Sequence, residues 1–181
     1  MLEPLAAAWV MTGSHAPDYE AGLLPKSITY NGGRVVRLRL RVADSEPLGF
    51  GALMQCIATT RYLGRRVRFS AMARAVEVTG RAGLWLRVDG PGGELAIDNI
   101  EDRPLRRVTG WIEAAIVLHV PEQAAALNFG ALLGGAGALD LAGLRFEEAA
   151  ADVAVTAAPD RVSPLPEEPQ GLDFVRHDDL N

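Results

Sequence analysis

Trp85, Arg87 and Asp89 stand at alternate positions of the run LWLRVD. Alternate side chains of an extended segment leave it on one face. An aromatic ring, a guanidinium and a carboxylate would therefore be presented together. Such a set can grip a polar organic molecule: the ring packs, the guanidinium donates, and the carboxylate accepts or moves a proton. The competing arrangement uses the same residues internally, with Arg87 paired to Asp89 or Asp98 and Trp85 packed as core.

Other polar residues fall on the same kind of strand face: Gln55, Arg68, Ser70, Asp98, Trp111, Glu113, His119, Asn128 and Asp140. Asp140 and His119 would form an acid–base pair if their strands adjoin, and Asp89 is the third candidate for proton transfer. A solvated surface histidine is the plainer alternative for His119. Tyr19 and His15 lie in GSHAPDYEAGLLP, Gly13 to Pro25. Two Gly, two Pro and an Asp read as a loop, which could cap a cleft as a lid or use Tyr19 merely as an anchor.

Several chemistries find no support. GPGG (90–93) and GGAG (134–137) sit in hairpin-like turns, with no helix and no Lys or Ser to hold phosphate. The three histidines (His15, His119, His177) are far apart and Cys56 is the only cysteine, so neither a metal site nor an internal disulfide is expected. Cys56 lies in an apolar run and reads as a buried thiol. No G-x-S-x-G elbow occurs. No cofactor is expected. A net charge of −5 is the opposite of a nucleic-acid module's usual balance. No apolar run approaches a membrane span, and the N-terminal stretch is a poor secretory signal. The expectation is a cytoplasmic protein whose partner is a small molecule, without nucleic acid or membrane; a homodimer is left open.

The elements that must position these residues are short strands. In RVVRLRLRV (34–42), Val36, Leu38, Leu40 and Val42 share one face, and Arg37, Arg39 and Arg41 the other, read as solvated. Residues 52–60 could be strand or helix. Strands are expected over 66–78 and 84–88, the latter returning through GPGG into 95–100. Further strands are expected over 109–120, 127–133 and 139–146, and an alanine-rich run at 149–155 is ambiguous between strand and helix. Nine or ten strands with few helices argue for an antiparallel β-sandwich or barrel. From residue 157 the chain turns rich in Pro and acid, which divides it into a sandwich domain over 1–156 and an extended tail over 157–181.

The pieces GSHAPDYEAG, ALMQCIAT, YLGRRVRFS, AGLWLRVDG, LAIDNIEDRP, VLHVPE and LNFGALLGGAG cover most of residues 9–148. Together they resemble the jelly-roll domain often attached to AraC-type transcriptional regulators. That domain also occurs alone in bacteria and is itself similar to galactose-binding-like carbohydrate-binding modules. The resemblance implies an all-β, antiparallel jelly-roll β-sandwich with a concave ligand-binding face. It implies no DNA binding by this domain, since the DNA-reading helices of such regulators lie outside it. The chain departs from the family pattern at five positions. Asp140 stands where a Trp is usual, Ala142 and Gly143 where acids are, Ala114 where a Tyr is, and His119 where an Asp is. Lost aromatics weaken a sugar platform, which stacks on ring faces.

Three functions follow as expectations. The first is a small-organic-molecule binder with a remodelled concave pocket. The second is a cofactor-independent cyclase or isomerase acting on a hydrophobic, polyketide-like natural product, using Asp140, His119 or Asp89. The third is a carbohydrate-binding or protein-interaction domain. A deep apolar pocket would favour the first two, a shallow groove with exposed Trp85 and Trp111 a carbohydrate, and a filled face an interaction domain.

Overall fold

A computed structural model describes residues 1–42, 49–105 and 110–157. Its twelve strands are β1 (Val10–Thr12), β2 (Tyr19–Leu23), β3 (Thr29–Tyr30), β4 (Gly33–Arg34), β5 (Val36–Leu40) and β6 (Phe50–Ala58). They continue with β7 (Arg66–Val76), β8 (Arg81–Gly90), β9 (Gly93–Asp98), β10 (Ile112–His119), β11 (Ala126–Gly134) and β12 (Ala138–Ala149). The described residues contain one short 3-10 turn, Ala16–Asp18, and no α-helix.

Ten strands form two five-stranded antiparallel sheets, ordered β1-β6-β11-β8-β9 and β10-β7-β12-β5-β2, and β3–β4 is a small separate hairpin. The connections β7–β8 and β11–β12 cross from one sheet to the other, so consecutive strands face each other rather than pair. This is the jelly-roll β-sandwich. The inward positions alternate as a half-buried strand requires. Leu84, Leu86 and Val88 of β8 and Leu127, Phe129 and Leu133 of β11 meet Val67 and Phe69 of β7, Leu139 and Leu141 of β12 and Leu38 of β5. Phe69, Phe129 and Phe146 form the aromatic centre, with ring centroids 5.1 Å apart for the first pair and 4.6 Å for the last.

Four expectations change. The segment read as a loop over 13–25 contains β2, and Tyr19 is fully buried at its start. The Tyr19 hydroxyl bonds the carbonyls of Gly49 (3.2 Å) and Gly135 (3.1 Å). Its ring fills the space where a side chain at position 51 would go, so Gly51 must be glycine. Of the ambiguous segment 52–60, the part up to Ala58 is strand (β6), and Cys56 is exposed, because it shares the outward parity of Met54. The arginines of β5 are not simply solvated: they hold buried and half-buried acids. Residues 150–155 are neither strand nor helix.

The segment up to Thr156 nevertheless docks. The Thr156 amide bonds the Val117 carbonyl (2.9 Å), and its hydroxyl accepts from the Val117 amide (2.8 Å) and donates to Asp98 (2.6 Å). This stitches the edge strand β10 to the end of β9 and satisfies edge groups that would otherwise be open. The expected tail over 157–181, apart from Ala157, lies outside the described residues.

Candidate functional site

The two outer faces of the sandwich divide the candidate residues. On the outer face of β1-β6-β11-β8-β9, register places Val10, Met54, Gly130 and Trp85 in one row, and Cys56, Asn128, Arg87 and Ile97 in the next. A depression of about 360 Å³ lies on this face, over β6, β11 and β8. Phe50, Met54, Trp85, Ile97 and Leu132 supply its apolar lining, and Arg81, Arg87, Asn99 and Asn128 its polar groups. Gly130 sits between Met54 and Trp85, where a Cβ would strike the Leu53 carbonyl; the close approach of β6 and β11 there requires glycine.

The polar end is built around Asp89. Its Oδ2 accepts from Arg87 Nε (3.1 Å) and Nη2 (2.8 Å) and from Asn128 Nδ2 (2.6 Å). Asp89 thus orients both side chains instead of lining the depression itself. Arg81 donates to Glu101 (2.5 Å), which also takes the Asn99 amide (3.2 Å). Hydrogen bonding from Arg81 holds the Glu101 carboxyl below its ordinary range. Trp85 is 8% exposed, and its Nε1 is buried without a hydrogen-bond partner. An unmade buried bond costs about 1–3 kcal/mol. The Trp85–Arg87–Asp89 face and the Arg87–Asp89 pair are therefore both real: the pair exists, and it frames a depression.

The outer face of β10-β7-β12-β5-β2 is different. Asp140 is fully buried and takes two guanidiniums: Arg37 through Nε (2.6 Å) and Nη2 (2.9 Å), and Arg74 through Nη2 (2.7 Å). Hydrogen bonding to Asp140 raises the Arg37 pKa further. The Arg74 guanidinium lies 4.9 Å from the Trp111 ring centroid, and Trp111 packs on Tyr30 at 4.6 Å. Arg68 binds Glu113 (2.7 Å), Glu147 (3.2 Å) and Ser70 (2.7 Å). The bond from Arg68 lowers the Glu113 pKa. Leu24, Val35, Ala142, Tyr30 and Trp111 form a small apolar cluster over this sheet.

The candidates named from sequence are therefore dispersed. His119 is opposite Arg66 and Asp140 opposite Arg74 on the same strand, β7. Eight residues of strand put them roughly 26 Å apart, so they form no acid–base pair. Ala114 faces the core between the sheets and is 8% exposed, so it lines no cleft. Tyr19 is a core anchor, not a lid. Gln55 shares the inward parity of Leu53 and Ile57, away from the depression. Asp98 is 6% exposed and holds Arg103 (2.6 Å), the Ile100 amide (2.8 Å) and Thr156. Arg68 and Asp140 belong to the opposite sheet, and Trp111 immediately precedes its edge strand β10. Met54, Leu132, Arg81 and Asn99 line the depression without being among the sequence candidates; for Met54, the outward parity of β6 is the signal that points to it. Among the described residues no cluster of three or more metal-ligating side chains occurs.

Comparison with known proteins places the fold. The fold is first of all that of carbohydrate-binding modules. The xylan-binding CBM22-1 domain of Paenibacillus barcinonensis Xyn10C superposes with a TM-score of 0.54 at 13% identity, over 81% of this chain and 88% of that one. The C-terminal family 22 carbohydrate-binding module of Clostridium thermocellum Xyn10B gives 0.55 at 13% identity, over 83% and 91%. The enzymatically active domain of tailspike protein 4 of bacteriophage CBA120 gives 0.55 at 12% identity, over 79% of this chain and 20% of that one. At these identities the likeness is one of fold.

The sequence likeness is to a regulator. Over 174 residues, 96% of its length, the chain is 33% identical to the uncharacterized HTH-type transcriptional regulator YbfP of Bacillus subtilis (strain 168), and it spans 58% of that protein's length. The resemblance to a regulator-associated jelly-roll domain thus holds across nearly the whole chain. No family model matches it.

Proposed function

We propose that the chain is a ligand-binding module that takes a small organic molecule in the depression on the β1-β6-β11-β8-β9 face. The observation that carries this reading is the convergence there of an apolar floor (Met54, Trp85, Leu132) with polar groups held in place from outside it. Binding sites of this size are mostly apolar, with a few fixed polar groups that orient the ligand. The opposite face offers its charges mainly to one another. The sequence likeness to a transcriptional regulator supports a binding role.

The finer alternatives have less behind them. Stacking of a sugar needs an open aromatic face, whereas Trp85 is largely buried and Trp111 packs on Tyr30 on the other side. A cyclase or isomerase would have Asp89 alone of the three acid–base candidates near the depression. No helix among the described residues is long and apolar enough to cross a membrane.

Screening of a fragment library by NMR, with Trp85→Leu and Ile97→Ala as controls, tests the proposal. Ligands should perturb the Trp85 indole and lose about tenfold or more in affinity in Trp85→Leu. Ile97 is on the exposed rim, so Ile97→Ala keeps the test valid if Trp85→Leu does not fold. Ligands that ignore both substitutions would count against the site.

A further inference from the structure

We infer that the depression selects a ligand whose polar end carries a hydrogen-bond acceptor and a donor side by side, as a carboxamide does; this rests on the reading that the depression binds a small molecule. Arg87 and Asn128 are direct cross-strand partners on β8 and β11. Side chains so paired start about 5 Å apart at Cβ and share one surface. Both point to the same carboxylate oxygen, Asp89 Oδ2.

That shared anchor decides what each has left. Asn128 must turn its NH2 to a carboxylate, so its Oδ1 is the remaining acceptor. Arg87 spends Nε and one Nη2 hydrogen, so Nη1 and the second Nη2 hydrogen are the remaining donors. Neither Arg87 Nη1 nor Asn128 Oδ1 has a hydrogen-bond partner among the described residues. Asn128 is 6% exposed and lines the depression, and Arg87 lines it beside Asn128.

A carboxamide answers this pair: its carbonyl accepts from Arg87, and its NH2 donates to Asn128. A ketone satisfies Arg87 but leaves Asn128 Oδ1 desolvated and unpaired. A carboxylate sets a second oxygen against Asn128 Oδ1, and the guanidinium charge that would attract it is already neutralised by Asp89. Sites built to hydrogen-bond a donor reject the analogue that lacks it, because their own polar group is then stranded. The apolar body of the ligand would rest on Trp85, Met54 and Leu132.

Three probes of one shape separate the possibilities: 2-naphthamide, 2-acetonaphthone and 2-naphthoate. Each is titrated into the full chain and followed by NMR at the Trp85 indole and the Asn128 side-chain amide. The amide should bind about tenfold more tightly than the ketone or the acid, the worth of one net hydrogen bond. In Asn128→Ala the amide and the ketone should become equal. In Arg87→Met, which keeps the apolar stem of a half-buried side chain, both should weaken together. Equal affinity of the three probes, or tightest binding of the acid, with shifts still at Trp85, would overturn this inference and leave the binding site standing. Absence of shifts at Trp85, Arg87 and Asn128 with every probe would overturn both.

Discussion

The two outer faces of the sandwich carry the same kinds of residue and use them in opposite ways. On the β10-β7-β12-β5-β2 face, a fully buried Asp140 is clamped by Arg37 and Arg74, and Arg68 is held by two glutamates. Trp111 lies against Tyr30 and Arg74. On the β1-β6-β11-β8-β9 face, Asp89 also collects an arginine, but it does so at the margin of a depression with an apolar floor. Charge density alone does not mark a site. What separates the faces is the floor: the depression on the β10-β7-β12-β5-β2 face is ringed by Ser70, Glu113 and Arg145, whereas that on the β1-β6-β11-β8-β9 face has Met54, Trp85 and Leu132 beneath a fixed Arg87–Asn128 pair.

Equivalent substitutions on the two faces should give the largest contrast. Asp140→Ala leaves two guanidiniums without their buried partner, and should destabilise by about 3–5 kcal/mol in urea denaturation. Asp89→Ala removes a partly exposed acid, and should cost about 1 kcal/mol or less while abolishing the fixed orientation of Arg87 and Asn128. Equal costs would break the distinction between a clamped face and a poised one.

Next in size are two contacts that hold the frame of the depression. Thr156→Val removes the hydroxyl's bonds to Asp98 and the Val117 amide while keeping the backbone bond to the Val117 carbonyl, and should cost about 1–2 kcal/mol, with faster hydrogen exchange at the Val117 amide. Ile97 and Asn99, the chain neighbours of Asp98, line the depression, so loosening there also probes how firmly its rim is set. Tyr19→Phe loses two carbonyl partners, and should cost about 1 kcal/mol. Burial pushes the Tyr19 phenol above its ordinary range. The folded protein therefore keeps a proton that the unfolded chain has released, and stability falls as pH rises beyond that ordinary range. In Tyr19→Phe this alkaline loss should be smaller.

The smallest effect concerns Glu113, whose pKa is lowered by its bond to Arg68. Its stabilising contribution is present above the ordinary glutamate pKa and disappears as pH falls through the lowered folded value. Glu113→Gln should flatten that part of the acid limb slightly, because the pair is exposed and screened. A large change would mean that the second face is less fully solvated than its geometry implies.

Strand parity made much of this legible. Alternation in LWLRVD puts Trp85, Arg87 and Asp89 on one outward face, as the structure has them, and GPGG closes the β8–β9 hairpin. Alternation cannot say which sheet a strand joins. Because β7 and β8, and likewise β11 and β12, belong to opposite sheets, Arg68 and Asp140 are separated from Arg87 and Asn128 by the whole core. Apolar runs also conceal parity: in ALMQCIA, Gln55 points inward and Cys56 outward, the reverse of what polarity suggests. Gly- and Pro-rich punctuation around Tyr19 conceals a strand that pairs along its whole length with β5.

The most direct measurement is an amide-detected NMR titration of the full chain with 2-naphthamide. Shifts at Met54, Trp85, Arg87, Ile97 and Asn128, without shifts at Arg68, Glu113 or Asp140, are the predicted result. Saturable shifts centred on the Asp140 face, with the Trp85 indole unmoved, would contradict the account.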